Sequence, residues 1–465
     1  MSIRTTARGE RPAFGARFVA PLLIGSMLNP INTSMIATAL YPIGRSFGVG
    51  ASATAWLVGG LYLATAVAQP AMGRIADRFG ARRVFLAGLA LVALAGIAGT
   101  LAPSLGFLLG VRVLLGIGTS AAYPSAMSMV RAESRRRTVA TPGGVLGALT
   151  MAALTSAAVG PALGGLLVGA FGWPSIFAVN LPLALIGIVA TLLWLPADVR
   201  SEGVRESLVR ALDPAGLVLF AAAVMVLLFF LMNLAAPIWA LPPLFVALSL
   251  ALVVRERRAH HPFIDVRMLA GNGPLVVTYV RYGLTFLVCY GVLFGLTQWI
   301  EEGRGMSPTA AGLLMLPMSV MAALCSALGS RGRRVRVPVL IGTAGMLVGS
   351  ATLFGLTSTV PLLALVAVGL LFGLPNGLSS VGNQAAMYAQ APSEQIGVAA
   401  GLFRTSQYIG AIFSAGLISV DFGQRATDRG LHELAVTFVV ISAVLLVGAL
   451  VDRTMTSTDP TRRPA

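Results

Sequence analysis

Long apolar runs alternate with short polar segments along the whole chain. The runs fall at about 17–41, 52–72, 84–102, 104–130, 143–168, 175–195, 214–234, 237–254, 274–299, 308–329, 337–356, 361–383, 396–420 and 431–451. Each is near the ~20 residues that an α-helix needs to cross ~30 Å of hydrocarbon. The pattern therefore predicts an all-α polytopic membrane protein with about 14 spans. The chain opens with Arg4, Arg8 and Arg11 before apolar sequence, as a secretory signal does, but the first run continues to about Tyr41 and reads as span 1. Spans 7 and 8 carry no ionisable residue from Pro214 to Val254, and Asp213-Pro214 is a good helix start. A pair apolar all round reads as a lipid-facing insert. The predicted organisation is a six-helix bundle over 1–196, a linker with two extra membrane helices over 197–270, and a second six-helix bundle with a short tail over 271–465.

Composition agrees. In 465 residues, 56 % are hydrophobic and 11 % charged, with mean hydropathy +0.85, which excludes a soluble globule of this size. The net charge of +16 does not imply nucleic acid, because the basic residues occupy short loops. All 33 are arginine. Alternating the sides from a cytoplasmic start puts 26 arginines in inner segments and 4 in outer loops, so the positive-inside bias predicts both termini in the cytoplasm of a cell-membrane protein. All five tryptophans lie close to predicted span ends, where amphipathic rings prefer to sit.

The absence of lysine removes a Gly-Lys-Ser/Thr phosphate loop and lysine Schiff-base chemistry. His260, His261 and His432 lie in loops, Cys289 and Cys325 lie in apolar runs, and none has metal-ligand spacing. The sequence calls for no enzyme, no cofactor and no metal.

Gly73-Arg74-Ile75-Ala76-Asp77-Arg78-Phe79-Gly80-Ala81-Arg82-Arg83 packs five charges between spans 2 and 3. Gly73, Asp77, Arg78, Gly80, Arg82 and Arg83 resemble the signature loop of the major facilitator superfamily, and the layout of six, two and six spans resembles its 14-span drug:proton antiporter branch. Three further stretches carry the resemblance. Leu109–Gly118 looks like the family's fourth-helix motif, in which the arginine, here Arg112, is associated with proton coupling. Arg112 either faces protein and water or snorkels to the surface. Gly160-Pro161-Ala162-Leu163-Gly164-Gly165 matches the core of the antiporter motif, and His261–Arg267 is similar to the branch's linker. Gly329–Arg334 looks like a shortened copy of the first loop.

Span 1 departs from the branch, since Asn32 stands where an aspartate is frequent. Asn29 and Asn32 share a face, and serve either as glue between helices or as hydrogen-bonding groups of a substrate cavity. No acid lies deep within a span, so the proton carrier is unassigned; Asp77, Glu301, Glu302 and Asp421 at span ends are the nearby candidates, most of them read as solvated end charges. Arg281 and Arg404 lie deep in the second half with no acid in its spans to neutralise them. They read as cavity cations, with snorkelling or bonds to helix-end carbonyls as alternatives. Together with Asn29, Asn32, Asn376 and Gln407 they make the predicted substrate cavity. The expected function is a proton-coupled exporter of small organic molecules or drugs by alternating access. An uptake or facilitative carrier for a small anionic metabolite, and a non-transporting sensor or scaffold, are the other readings. The expected partners are a small-molecule substrate, protons and the bilayer, with a monomer favoured.

Overall fold

The computed structural model describes residues 14–137, 143–198, 213–234, 236–259, 263, 264, 266–329, 335–392 and 396–452. Among them every regular element is helical. In chain order the long helices are α1 (Ala16–Thr38), α2 (Ala51–Phe79), α3 (Ala81–Thr100), α4 (Leu105–Arg137), α5 (Gly143–Phe171), α6 (Ser175–Trp194), α7 (Pro214–Met232), α8 (Leu241–Arg258), α9 (Gly273–Glu302), α10 (Pro308–Gly329), α11 (Arg336–Gly355), α12 (Leu362–Gln390), α13 (Ile396–Phe422) and α14 (Asp428–Val451). Short helices Leu40–Phe47 and Val266–Ala270 join α1 to α2 and α8 to α9.

Twelve of these helices are long and apolar enough to cross a membrane among the described residues, against fourteen expected. The other two are α8 and α13. Arg255, Glu256, Arg257 and Arg258 fill the last turn of the 18-residue α8, and Arg404, Ser406 and Gln407 interrupt the 27-residue α13. Several boundaries also move. Hydropathy places the end of α2 near Met72, yet the helix continues to Phe79, and α4 runs on to Arg137. Helical hydrogen bonding does not stop where hydropathy does, and each helix carries its basic turns beyond the apolar run. The expected shortened copy of the first loop lies outside the described residues from 330 to 334, as does part of the linker similarity, at 261, 262 and 265.

Helices α1 to α6 pack on one another, and so do α9 to α14; the two groups meet mainly through α2 against α13 and α5 against α10. α7 packs on α8 and lies against both α2 and α13. Its Leu228 and Leu231 fill the space left by Gly59 and Gly416, while Val218, Met225 and Phe229 are exposed. At the head of α7, Asp213 accepts from Gly216 N at 3.1 Å and forms an ion pair with Arg255 at 2.5 Å. Burial pushes this carboxyl up, but the Gly216 N–H, Glu256 and Arg255 together hold it below the usual aspartate value. The Arg74 guanidinium of α2 lies 5.9 Å from the Phe263 ring, whose backbone N–H also donates to Asp213.

The hydrogen bonds found between the two groups cluster toward the arginine-poor end. Ser52 N donates to Gly423 O at 2.8 Å, Ser52 and Ser419 hydroxyls are 2.7 Å apart, and Thr309 Oγ1 donates to Gly165 O at 3.0 Å. The deepest is Tyr408 Oη to Gln69 Oε1 at 2.7 Å. Trp299 departs from the expected interfacial belt: it is fully buried near this end and donates from Nε1 to Asp428 Oδ1 at 2.8 Å.

Candidate functional site

The basic stretch between spans 2 and 3 is mostly helix. Gly73, Arg74, Asp77 and Arg78 occupy the last turns of α2, and only Gly80, at φ +100°, breaks the chain before α3. A Cβ there would overlap the Asp198 carboxylate, so both backbone and space call for glycine. Asp198 accepts from Arg82 N and Arg83 N at 3.0 Å each, an anion at the unsatisfied N–H groups of a helix start. Arg82 also donates to Leu192 O at 2.9 Å. Asp77 accepts from Ser128 Oγ on α4 at 2.6 Å. That bond stays within the first group of helices.

Arg112 does not snorkel. Only 1 % exposed, it donates from Nε to Leu57 O at 3.0 Å and from Nη1 to Asn32 O at 3.1 Å. The Asn32 carbonyl is available because α1 tightens to a 3₁₀ turn over Ile36–Thr38, and Ile36 N–H turns to Ser34 O. The Asn32 amide faces Asn180 on α6 in a reciprocal pair at 2.5 and 2.9 Å. Asn29 donates to Thr119 Oγ1 on α4 at 2.9 Å. Both asparagines therefore join helices of the first group.

On α5, Gly160 and Gly164 let α1 approach; a Cβ at Gly164 would lie 2.7 Å from Met35 O, and one at Gly160 would overlap Ser34 Oγ. Gly165 instead meets Pro308 on α10, and Gly312 of α10 meets the Pro161 carbonyl. The Gly-Pro-x-x-Gly-Gly stretch thus has two faces, one inside its own group of helices and one across the interface.

Arg281 and Arg404 part company. Arg281, buried, pairs with Asp452 at 2.9 Å and donates to Asn383 Oδ1 at 2.6 Å. No acid was expected for it because Asp452 lies just past the end of α14, 171 positions away. Arg404 is half-buried, donates to Gln407 Oε1 at 3.1 Å, and has no carboxylate within ion-pair distance among the described residues. Gln407 also accepts from Tyr282 Oη at 3.3 Å and donates to Tyr290 Oη at 3.0 Å. Asn376 lies half-buried in a π-helical turn of α12, Pro375–Ser379.

Tyr290 and Tyr408 meet Tyr62 of α2 at ring-centroid distances of 5.2 and 5.8 Å. Arg404, Gln407 and Gln69 thus gather with Tyr62, Tyr282, Tyr290 and Tyr408 where the two groups of helices meet. Sequence reasoning missed Tyr62, Gln69 and Tyr408 as site residues. Tyr62, Thr65 and Gln69 fall at i, i+3 and i+7 in the apolar run of span 2, a polar stripe on one helical face that periodicity could have found.

Two groups of membrane helices meet around a half-buried cation, the architecture of a membrane carrier. The chain belongs to the Major Facilitator Superfamily, whose family model matches residues 22–415. It is 33 % identical over 439 residues to the uncharacterized MFS-type transporter YwoD of Bacillus subtilis strain 168, covering 94 % of this chain and 96 % of that one. It is 29 % identical over 428 residues to the tetracenomycin C resistance and export protein of Streptomyces glaucescens, covering 87 % and 75 %. A crystal structure of a point mutant of the peptide transporter POT superposes with a TM-score of 0.68 at 17 % identity, covering 94 % and 95 %. The chain is a multi-pass membrane transporter with resistance exporters among its relatives.

Proposed function

We propose that this transporter exports small organic molecules of neutral or acidic character across the cell membrane in exchange for protons, by alternating access of a site between its two six-helix bundles. In this reading α8 and α13 also cross, giving fourteen spans, with α7 and α8 as an accessory pair between bundles 1–196 and 271–465. The arginine-rich face is cytoplasmic, and the monomer is the working unit. The observation that carries the substrate class is Arg404. A cation in a membrane interior is tolerated where water, a partner or a ligand reaches it, and here the groups around it are tyrosines and amides. Asn32, sealed against Asn180, offers no carboxylate to a cationic drug. Export rather than uptake is supported by the antiporter motif at Gly160–Gly165 and by the export role that names the Streptomyces relative.

The test is retention of tetracenomycin C, a set of neutral and acidic compounds and a lipophilic dication in cells with and without the protein, before and after collapse of the proton gradient. Gradient-dependent efflux of neutral or acidic compounds, reduced at least ten-fold by Arg404→Gln, is the expected result. Efflux of the dication alone, unaffected by Arg404→Gln, overturns the substrate class, and gradient-independent accumulation of acids turns the reading to an uptake carrier.

A further inference from the structure

Glu301 is not a solvated end charge. It lies in the last turn of α9, is 1 % exposed, and neither carboxyl oxygen has a hydrogen-bond partner among the described residues. Its neighbours in that turn, Thr297, Gln298, Trp299 and Ile300, are buried as well. The turn packs on Ile36–Thr38 and on the helix Leu40–Phe47, both from the first bundle, and on the α10 segment Pro308–Leu314. It therefore belongs to the arginine-poor end, where the two bundles are bonded together.

The charged and titratable groups around it leave it alone. Ile36–Thr38 and Pro308–Leu314 carry none, and Leu40–Phe47 carries Tyr41 and Arg45. Glu302, next to it, accepts from Ala426 N at 2.8 Å, and Asp428 is taken by Trp299. No arginine, Arg45 and Arg304 included, forms an ion pair with Glu301 among the described residues. A groove of about 270 Å³ runs alongside, lined by Tyr41, Arg45, Gln298, Glu302 and Arg425, and Glu301 does not reach it.

An ionised carboxylate sealed away from water without a partner costs far more than the neutral acid in the same place. From this geometry we infer that Glu301 is a proton-binding site that couples protonation to closure of the arginine-poor end: the closed state holds a proton on Glu301 that the open, hydrated state releases. The inference rests on the alternating-access reading and deepens it, adding a protonation-dependent gate at the arginine-poor end that takes up and returns its proton on that side. Among the described residues Glu302 and Asp428, at the same end, are hydrogen-bonded, exposed Glu433 pairs with Arg429, and Asp421, whose Oδ2 also has no hydrogen-bond partner, is only half-buried where Glu301 is sealed. By linkage, the state that binds the extra proton gains population as pH falls and loses it as pH rises.

The test needs no substrate. Spin labels at Ser46→Cys and Gln424→Cys, exposed positions on opposite bundles at this end, report the distance across it in protein reconstituted into vesicles at a series of pH values. Infrared difference spectra, wild type minus Glu301→Gln, report the carbonyl stretch of a protonated carboxylic acid. The expected result is a wild-type short-distance population that falls as pH rises, a Glu301→Gln population that stays short throughout, and a carboxylic-acid band that Glu301→Gln removes. Glu301→Asp restores both the band and the pH response, which separates proton binding from a packing effect of the amide. Identical pH profiles for wild type and Glu301→Gln, or no difference band, overturn the inference. Failure of the export reading is read separately, by the efflux assay on wild type.

Discussion

At the scale of single residues, the three arginines in the middle of long helices solve one problem in three ways. Arg112 is held by two backbone carbonyls, Arg281 by Asp452 and Asn383, and Arg404 by a glutamine amid tyrosines. Their consequences on substitution differ accordingly. Removing one partner of a buried ion pair leaves an uncompensated charge, at a cost of about 3–5 kcal/mol. Arg281→Gln and Asp452→Asn should each lower thermal stability in detergent by that order. The double variant should recover part of the loss, and efflux per folded molecule should keep its selectivity. A selectivity change in Arg281→Gln without loss of stability would return this residue to the substrate site. Arg404→Gln should do the reverse, changing which compounds are moved while leaving the melting temperature close to that of wild type.

At the scale of elements, the glycines of α5 separate two kinds of close approach. Gly165→Ala places a methyl against the Pro308 carbonyl across the bundle interface. It should impair closure and cut transport several-fold with little loss of stability, read by efflux and melting on the same preparation. Gly164→Ala presses on the Met35 backbone inside one bundle and should cost roughly 1–3 kcal/mol of stability, as overpacking does. Equal effects of the two on stability would contradict the two-faced reading of this helix. The membrane helices were legible in the sequence because lipid imposes long apolar runs, and the first loop was legible because its glycines and acid recur at fixed offsets. The partners were less so. Asp452 for Arg281, Asn180 for Asn32 and Ser128 for Asp77 are set by tertiary packing between helices distant in sequence, which hydropathy does not encode. Tyr62 and Gln69 escaped for a related reason: a tyrosine and a glutamine barely perturb an apolar average, though their spacing marked a face. Glu301 reads as an end charge in the sequence because its place in the chain is terminal while its place in the fold is buried.

At the scale of the molecule, two bundles joined at the arginine-poor end make a state whose site can open only toward the arginine-rich face. In the proposed orientation, which the arginine asymmetry supports, that face is cytoplasmic. Single cysteines at Arg135 and Gln424, both exposed, should therefore label oppositely in intact cells with an impermeant maleimide: Gln424→Cys reacts, and Arg135→Cys reacts only after permeabilisation. Labelling of both in sealed cells would overturn the orientation.

α9 contains a π-helical turn, Val292–Leu296, midway between Tyr290 and Glu301. Such a turn stores one more residue than its length requires. If it tightens to ordinary α-helix, that surplus passes into the helix beyond, advancing it by about 1.5 Å and turning it by roughly 100°. The same rod can then present different sides to its neighbour at its two ends without breaking a single peptide plane or melting a turn. A helix with built-in slack of this kind works as a vernier: a small adjustment at the aromatic cluster re-phases the last turn, where the lone carboxyl sits.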